Sequence, residues 1–455
     1  MAEGEATSVM IIGGGAAGMS AASRVRRLRS DWPITVLERG DYVSFILCGL
    51  PYYVEGLVDD ESRLVVYTPE FFRMERNIDV RTGHEARRID TANRLVEAVD
   101  LESGASESFH YDRLVIAAGA QPVRPRIPGL DLDGVFTLHS IPSGMAIRSF
   151  LGSQTVRRAA IIGAGYVGLE MAEALRAVGA EVTVIEALES VLPGGEPEIA
   201  ALVDEELRRQ GVEVRTGQFA QALQGDGRVR RVVTSDGALD VDLVLVSVGV
   251  RPAVQMAREA GIEVGPTGAI ATDSRMATNV PDVYAAGDCA EAYHLLTGRP
   301  AYVPLGTTAN KQGRVAGINA ADGNAEFAGI VGTAGLKVFD LEVARTGLTE
   351  AQAREAEFDP VSAVVRFPSH ASYYPDTRDL TVKLVADAGS GQVLGAQMCG
   401  PDTVAKRIDT VAAALYARMS VADIESLDLS YAPPFATAWE GIQLAAQRIL
   451  EKLQR

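Results

Sequence analysis

The segment V-M-I-I-G-G-G-A-A-G, residues 9–18, determines the fold that the sequence predicts. Four apolar residues typical of a buried strand run directly into glycines with G-x-G-x-x-G spacing, and a helical pattern follows from Met19 to Leu28. A second strand, residues 34–38, then ends in Glu38. This order predicts a dinucleotide-binding βαβ unit, because the glycines let the backbone approach a pyrophosphate at a helix N-terminus and the acid holds ribose hydroxyls.

The same pattern occurs a second time in the chain. The segment A-A-I-I-G-A-G-Y-V-G occupies residues 159–168, and a strand at 181–186 ends in an acid, Glu186. Each unit also closes on a similar apolar strand, L-V-I-A-A-G at 114–119 and L-V-L-V-S-V-G at 243–249. Chance does not readily produce all of these features twice, so the sequence predicts two dinucleotide-binding units in one chain.

Two further segments belong to the first unit. An alternating apolar pattern between residues 79 and 111 predicts a small antiparallel sheet. Later, T-N-V-P-D-V-Y-A-A-G-D at 278–288 places Asp288 at the end of a strand, where ligands of open α/β sheets bind. Asp288 can alternatively be the N-cap of a helix over 290–296, and a second helix is predicted over 307–320.

From about Phe327 the composition changes and no third glycine fingerprint appears. Strand patterns at 343–347 and 379–385 alternate with helical ones, of which residues 403–419 are the longest. A separate α/β domain without a nucleotide site is most often an association domain, which is the role predicted here.

The overall composition excludes several classes of partner. The formal net charge of −17 over 455 residues makes nucleic acid or an anionic membrane surface an unsuitable partner. Three cysteines cannot form a disulfide framework, which indicates a reducing compartment. Residues 1–8 lack the basic and apolar parts of a signal peptide, and no run approaches the ~18 apolar residues of a membrane span. We therefore expect a cytoplasmic protein.

One cysteine lies in a distinctive position. Cys48 falls within S-F-I-L-C-G-L-P-Y-Y, residues 44–53, which predicts the opening of a short buried helix. A thiol at a helix N-terminus lies in a positive field and ionises easily, whereas the alternative is a small buried hydrophobe. Because this segment follows the second strand of the first nucleotide unit, we predict a redox thiol.

The whole chain resembles the FAD-dependent pyridine nucleotide-disulfide reductase family. The most specific motifs are S-F-I-L-C-G at 44–49, T-N-V-P-D-V-Y-A-A-G-D at 278–288 and Y-A-P-P-F at 431–435. They resemble the single-cysteine branch, which contains coenzyme A disulfide reductases, NADH oxidases, NADH peroxidases and persulfide reductases. The resemblance implies an α/β fold with two Rossmann-like domains and a C-terminal α+β dimerisation domain. The implied boundaries are 1–149 with 276–326 for FAD, 150–275 for NAD(P)H and 327–455 for dimerisation.

The resemblance also assigns cofactor-binding residues. Those of the first unit are Gly13, Gly15, Gly18, Glu38, Arg39, Ala118, Gly119 and Asp288. Those of the second unit are Gly163, Gly165, Tyr166, Gly168, Glu170, Glu186 and Gly249. Tyr166 resembles the aromatic gate that covers the flavin until the nicotinamide displaces it. Glu186 would repel a 2′-phosphate, which favours NADH while leaving NADPH possible.

A single redox cysteine limits the chemistry. No second cysteine lies near Cys48 in the sequence, and Cys289 is expected to pack in the interior. Oxidised Cys48 must then be a mixed disulfide, a persulfide or a sulfenic acid, the states of a disulfide reductase, a persulfide reductase, and an oxidase or peroxidase. Ala16 stands where peroxidases and many oxidases of the branch carry histidine, which favours the two reductases.

The resemblance further implies a substrate site and a partner subunit. Its substrate-binding positions are Ser20, Arg24, Arg27, Ser44, Arg76, Asn310 and Arg314. Tyr373 and Tyr431 of the other subunit of a homodimer would assist the leaving thiolate. Coenzyme A, as substrate or Cys48 adduct, would need these cations, although the arginines of the first helix can equally be a solvated face. Leu47 and Trp439 differ from coenzyme A disulfide reductases, so a smaller disulfide or persulfide is an alternative.

The predicted function is reduction of a low-molecular-weight disulfide or persulfide by NAD(P)H, through FAD and Cys48. No metal site is predicted. The alternatives are an NADH oxidase or peroxidase that uses the same cysteine, and a non-enzymatic, NADH-responsive flavoprotein scaffold. An electron-transfer reductase for a small iron–sulfur protein would share both nucleotide units but would need neither Cys48 nor the tyrosine pair.

Overall fold

A computed structural model describes residues 7–454, so most of the N-terminal segment and Arg455 lie outside the described residues. The helices are α1 (Ala16–Leu28), α2 (Leu50–Glu55), α3 (Pro69–Arg76), α4 (Ile141–Ser153), α5 (Tyr166–Ala177), α6 (Pro197–Arg209), α7 (Gln255–Glu259), α8 (Gly306–Ala320), α9 (Glu350–Glu355), α10 (Val404–Tyr416), α11 (Val421–Glu425) and α12 (Gly441–Leu453). The strands are β1 (Val9–Ile12), β2 (Ile34–Leu37), β3 (Asp79–Arg81), β4 (His84–Asp90), β5 (Leu95–Asp100), β6 (Ser106–His110), β7 (Arg113–Ile116), β8 (Ala120–Pro122), β9 (Val135–Phe136), β10 (Arg158–Ile162), β11 (Glu181–Ile185), β12 (Glu213–Arg215), β13 (Ala220–Asp226), β14 (Arg228–Thr234), β15 (Gly237–Asp240), β16 (Leu243–Val246), β17 (Val250–Pro252), β18 (Val283–Ala285), β19 (Ala292–His294), β20 (Arg299–Ala301), β21 (Ala334–Val338), β22 (Leu341–Gly347), β23 (Pro360–Pro368), β24 (Asp379–Asp387) and β25 (Val393–Gly400).

The first sheet is parallel, with the strand order β18-β7-β1-β2-β3. All four residues of β1 are buried, as expected for a strand covered on both faces. Helices α1 and α8 pack closely against each other beside this sheet. Their contact requires glycine at Gly313 and Gly317, where a Cβ would lie only 2.1 Å from the Ala17 carbonyl oxygen and 2.5 Å from that of Ala21. The predicted helix over 307–320 is therefore confirmed and tied to the fingerprint helix.

The second sheet repeats this design with the strand order β12-β11-β10-β16-β9, again parallel. Each sheet is accompanied by a small three-stranded antiparallel sheet, β4-β5-β6 beside the first and β13-β14-β15 beside the second. The antiparallel sheet predicted between residues 79 and 111 is confirmed, except that β3 joins the parallel sheet because it pairs with β2. The predicted internal repeat thus corresponds to two sheets of the same design.

The C-terminal part forms one antiparallel sheet, with the order β21-β22-β25-β24-β23. Helices α10 and α12 pack against it around a buried core that includes Leu380, Leu384 and Ile408. The mixed α/β fold class is confirmed.

The helix predicted over 290–296 is wrong. Residues Ala292–His294 form β19, which pairs antiparallel with β20 through a turn at Gly298. Burial alternates along β19, with Tyr293 exposed between two buried residues, which is the periodicity of a strand. Because that helix does not form, Asp288 is not its N-cap.

A buried ion cluster joins the second unit to the C-terminal sheet. Lys383 of β24 is almost fully buried, and its Nζ lies 3.0 Å from Glu196, 2.9 Å from Glu198 and 3.2 Å from Glu350. Burial alone would lower the pKa of Lys383, but its hydrogen bonds to Glu198 and Glu196 outweigh this effect and raise the pKa. A cation surrounded by three carboxylates fixes the second unit against the sheet.

Candidate active site

The first fingerprint forms an open cradle between β1 and α1. A Cβ on Gly18 would lie 1.8 Å from the Gly13 carbonyl oxygen, so only glycine lets the strand and helix approach this closely. A Cβ on Gly15, by contrast, would meet no atom within 4 Å. Gly15 is also the N-cap of α1 and provides no side-chain cap, which leaves the first amides of the helix available to an anion.

The second fingerprint repeats this geometry between β10 and α5. A Cβ on Gly168 would lie 2.1 Å from the Gly163 carbonyl oxygen, whereas one on Gly165 would meet nothing within 4 Å. Gly165 caps α5 without a side-chain hydrogen bond. Both cradles therefore have the open backbone that a dinucleotide pyrophosphate requires.

The two fingerprint acids make equivalent hydrogen bonds. Glu38 accepts the amides of Gly14 at 2.7 Å and Gly40 at 2.8 Å, one on each carboxylate oxygen. Glu186 accepts the amides of Ala164 at 2.8 Å and Leu188 at 2.9 Å in the same way. Each acid is thus held at the end of its strand, next to its cradle, with lone pairs left for ribose hydroxyls.

The remaining predicted positions of the first unit follow the carboxyl ends of parallel strands at the same edge of the first sheet. Ala118 and Gly119 follow β7, and Asp288 follows the adjacent β18. Burial raises the pKa of Asp288 above its ordinary value, although the nearby His139 partly offsets this. Arg39 is exposed, and its guanidinium group lies 3.9 Å from Glu85.

The predicted positions of the second unit lie on α5 and after β16. Gly249 follows β16, next to the second cradle. Tyr166 begins α5, and burial raises the pKa of its phenol, while Arg345 of the C-terminal sheet acts in the opposite direction. Glu170 is one turn further along α5, where burial and then Glu173 raise its pKa to about 7.

Cys48 lies in a short 3₁₀ turn, Leu47–Gly49, that leads into α2. The α-helix begins only at Leu50, and both Cys48 and Ile46 are exposed, so the predicted buried helix is only partly right. The turn is fixed by Gly49, where a Cβ would lie 2.4 Å from Leu64. The exposed thiol contradicts the alternative of a small buried hydrophobe.

The charge around Cys48 differs from the prediction. Burial on the protein side raises the pKa of the thiol, a hydrogen bond to its own backbone amide opposes this, and the carboxylates of Glu170 and Asp288 raise it further. The raised pKa contradicts the expected easily ionised thiol, and burial is its largest cause, with Glu170 and Asp288 adding to it.

The other two cysteines are buried. Cys289 is fully buried, and burial raises its pKa to about 11. Cys399, at the end of β25, has its pKa raised by burial to about 12. Both remain protonated at neutral pH, so Cys48 is the one exposed thiol of the chain.

The predicted substrate residues gather around α1 and α8. The hydroxyl of Ser20 donates to the Asn310 side chain at 2.7 Å. Burial, and then the guanidinium groups of Arg314 and Arg27, lower the pKa of Arg24, which shows that three cations are close together.

The other two predicted substrate residues border this group. The carbonyl of Arg76 accepts a hydrogen bond from Arg26 at 3.0 Å, which places the end of α3 beside α1. Ser44 adopts a left-handed backbone conformation with φ 51° and donates its amide to the Gly14 carbonyl at 2.9 Å. Ser44 thereby connects the first cradle to the Cys48 segment.

The predicted tyrosine pair lies in two loops of the C-terminal part. The Ala371 amide donates to the Pro433 carbonyl at 3.1 Å, which joins the loops. A hydrogen bond with Tyr431 raises the pKa of Tyr373. Both phenols are exposed, together with Phe435, which is 75% exposed, and Trp439. The structure brings the pair together on an aromatic surface.

Several residues near Cys48 were not predicted. Tyr52 and Glu55 follow Cys48 at helical spacing, a signal that could have revealed them. Glu173 contacts Lys337, which comes from the C-terminal sheet, and no feature of the sequence indicates that this lysine lies close by. Gln312 is fully buried and accepts the Gly287 amide at 2.9 Å, which fixes the turn before Asp288.

The residues present fit two dinucleotides. Each unit offers an open glycine cradle, uncapped helix amides and an acid held at a strand end, and the exposed cysteine lies beside the first unit. Two dinucleotide-binding units with one exposed thiol define the class of nucleotide-dependent oxidoreductases.

The chain belongs to the pyridine nucleotide-disulphide oxidoreductase family. The family model matches residues 7–313, and the dimerisation-domain model of the same family matches residues 333–441. Membership confirms the predicted cofactor pair of FAD and NAD(P)H. Among residues 7–454, no helix combines the length and apolar character needed to cross a membrane.

Named relatives extend over nearly the full chain. The NAD(P)H coenzyme A polysulfide/persulfide reductase of Pyrococcus horikoshii is 41% identical over 448 residues, covering 98% of this chain and 99% of the relative. An NADH oxidase of Methanocaldococcus jannaschii is 35% identical over 445 residues, covering 98% and 99%. The structure of an NAD-dependent persulfide reductase from A. fulgidus superposes with a TM-score of 0.96 at 40% identity, covering 98% of this chain and 84% of that one.

Proposed function

We propose that this protein reduces a low-molecular-weight disulfide or persulfide of the coenzyme A type, using NAD(P)H, FAD and the single redox cysteine Cys48. The observation that carries the proposal is the exposed thiol of Cys48, close enough to Asp288 to feel its charge, while Cys289 and Cys399 are buried. A thiol without an internal partner can form a mixed disulfide or a persulfide with external sulfur, which is what a disulfide or persulfide substrate offers.

The chemistry that FAD supplies when bound is transfer of two electrons from the nicotinamide to a sulfur atom. This chain would hold FAD in the first unit, residues 1–149 with 276–326, and NAD(P)H in the second, residues 150–275. Tyr166 would move aside for the nicotinamide, and the Cys48 thiolate released by reduction would attack the next disulfide.

The cationic group around α1 supports a phosphorylated substrate. The charges of Arg314 and Arg27 act against that of Arg24, and a phosphate bound beside Arg24 would offset this repulsion. Ser20 and Asn310, which already bond to each other, border the same surface. A coenzyme A thiol bound here would extend towards Ser44 and Cys48.

The family's dimerisation domain supports a homodimer built by residues 327–455. In that dimer, the exposed Tyr373 and Tyr431 of one subunit would protonate the thiolate leaving Cys48 of its partner. An unpartnered aromatic surface in a domain of this class is the expected contact with a second copy.

The test is anaerobic NADH oxidation by the purified holoenzyme with coenzyme A disulfide and coenzyme A persulfide, compared with oxygen and peroxide. We expect rapid turnover with one of the sulfur substrates and its loss in Cys48→Ser. Cys399→Ala is the matched control, because this buried thiol should leave turnover intact.

The second candidate is the NADH oxidase, favoured by the relative from Methanocaldococcus jannaschii. Ala16 opposes it, because no imidazole is present in the first cradle to hold a sulfenic acid. Oxygen turnover far above sulfur turnover would replace our proposal with this one. If wild type and Cys48→Ser both lacked turnover yet responded to NADH, the scaffold alternative would hold.

A further inference from the structure

The two tyrosines proposed for the site lie in loops and are largely exposed. Tyr373 belongs to the first tyrosine loop, residues 369–378, which joins β23 to β24. Tyr431 belongs to the second tyrosine loop, residues 426–440, which joins α11 to α12. Tyr373 is 76% exposed and Tyr431 is 52% exposed. Because burial does not fix these side chains, their positions depend on how the two loops are held.

One largely buried guanidinium group binds both loops. Arg407 of α10 donates from Nη2 to the Ser369 carbonyl at 2.6 Å, in the first tyrosine loop, and to the Phe435 carbonyl at 3.0 Å, in the second. Only 12% of the Arg407 side chain is exposed. The loops also meet directly, through the hydrogen bond from the Ala371 amide to the Pro433 carbonyl at 3.1 Å. Arg407 therefore connects both tyrosine loops to α10.

The other donors of this guanidinium group fix its orientation. Its Nε donates to the Thr403 hydroxyl at 2.9 Å, at the N-cap of α10, and its Nη1 contacts the buried carboxylate of Glu440. The Phe367 ring lies over the group, with 5.8 Å between Cζ and the ring centroid. A planar guanidinium group bound on all of its nitrogens cannot turn away, so the two loop carbonyls are held in place relative to α10.

The proposed function requires accurate placement of a proton donor at the leaving sulfur. When the bond between Cys48 and the substrate sulfur breaks, the substrate takes the electron pair of that bond and leaves as a thiolate. A tyrosine phenol gives this thiolate a proton and is then reprotonated. In the sum, NADH + H⁺ + RSSR → NAD⁺ + 2 RSH, one proton arrives with the hydride and one comes from solvent. A proton donor acts only within hydrogen-bond reach of its acceptor, so displacement of the loops would slow this step.

We propose that Arg407 is a positioning residue for the tyrosine pair. It holds the two tyrosine loops in the arrangement that presents Tyr373 and Tyr431 together to Cys48 of the partner subunit, and Glu440 orients its guanidinium group. The inference rests on the proposed function and assigns the residue that positions the proton donors of the same site. Because Arg407 acts through the phenols, its loss should slow those reactions in which the leaving thiolate needs a proton.

The first test compares two disulfides in Arg407→Met holoenzyme. An aryl thiolate is a weak base that leaves without a proton, whereas an alkyl thiolate gains from one. We expect kcat with coenzyme A disulfide to fall about tenfold, and kcat with the aryl disulfide dithiobis(nitrobenzoate) to change by less than about twofold. Arg407→Lys, which keeps the charge and some of the donors, should recover part of the loss. Lys406→Met, an adjacent exposed lysine on α10, should leave both rates unchanged.

The second test asks whether Arg407 acts through the phenols. In the Tyr373→Phe/Tyr431→Phe background, Arg407→Met should cause no further loss with coenzyme A disulfide, because the groups that it positions are already absent. Equal losses with both disulfides, or a full further loss in this background, would show a merely structural role and overturn the inference.

A third variant guards against misfolding. Arg407→Met leaves the Glu440 carboxylate buried without its cation, which destabilises the fold. Arg407→Met/Glu440→Gln removes that charge and should give the same difference between the two disulfides. Flavin content and light scattering check that each variant is a folded dimer.

Failure of the inference differs from failure of the proposed function. If Arg407→Met keeps the wild-type ratio of the two rates while Cys48→Ser is inactive, only the inference is wrong. If Cys48→Ser retains disulfide turnover, the proposed function itself is wrong, and the positioning role falls with it.

Discussion

Glu186 both shapes the second cradle and carries a charge where a ribose would bind. Its two oxygens accept the amides of Ala164 and Leu188, so the buried carboxylate cannot turn away from an incoming nucleotide. The equivalent Glu38 holds the first cradle in the same way. A fixed negative charge at this place disfavours a 2′-phosphate more strongly than a mobile one would.

We therefore predict that Glu186→Gln reduces the preference for NADH over NADPH about tenfold, equivalent to about 1.4 kcal/mol. The measurement is kcat/KM for both nucleotides with one disulfide. Glu189→Gln, an exposed acid in the following loop, should leave the ratio unchanged. An unaltered ratio in Glu186→Gln would show that this carboxylate does not select the nucleotide.

The charge around Cys48 shows how neighbours change a residue's properties. Burial is the largest cause of the raised pKa of this thiol, a hydrogen bond to its own backbone amide opposes it, and the charges of Glu170 and Asp288 raise it further.

The two strand–glycine–helix elements have the same geometry but lead into different segments of the chain. The Cys48 turn follows the second strand of the first unit and has no counterpart in the second unit. In the second unit, the fingerprint helix α5 carries Tyr166 and Glu170. Similar local structure therefore supports different proposed nucleotides, FAD in the first and NAD(P)H in the second.

This assignment is tested by filling each cradle in turn. Gly15 and Gly165 have open space at the Cβ position, so valine at either site should allow folding but obstruct the pyrophosphate. We expect Gly15→Val to be purified without flavin absorbance. Gly165→Val should keep its flavin and show at least about a tenfold rise in KM for NADH.

Each variant is the control for the other, and circular dichroism checks that both are folded. Loss of flavin in Gly165→Val with retention in Gly15→Val would reverse the assignment of the two units.

In the proposed homodimer, assembly would join the parts of the proposed site. The aromatic surface around Tyr373, Tyr431 and Phe435 has no partner within the described chain, and the C-terminal part belongs to a dimerisation domain. If one subunit completes the site of the other, two differently inactivated subunits should complement each other.

We predict that co-expressed Cys48→Ser and Tyr373→Phe/Tyr431→Phe chains recover about a quarter of wild-type disulfide turnover. Random pairing makes about half of the dimers hybrids, and each hybrid has one intact site if the tyrosines act across the interface. Turnover no higher than the mean of the two parent variants would place the tyrosines in the same subunit as their cysteine, or outside the site. Light scattering checks that the mixture is dimeric.

Much of the architecture follows from local sequence. Two parallel sheets are predicted by the glycine spacing, by the acids Glu38 and Glu186 and by the strand before Asp288. These signals can be recognised in the sequence because each depends on the backbone geometry and burial of a few neighbouring residues. The helix expected over 290–296 is wrong because these residues form a hairpin with β20, closed by a turn at Gly298, and this strand pairing overrode the helical preference.

The sequence by itself determined the two nucleotide units and the family, and it singled out Cys48 as the cysteine proposed for redox chemistry. Only the tertiary structure decided the electrostatic surroundings of that cysteine. Glu170 comes from the second unit and Asp288 follows a later strand, so no local pattern could show that the charges of both act on the Cys48 thiol. The physical reason is that charges act through space and are strengthened by burial, and both depend on how distant segments pack.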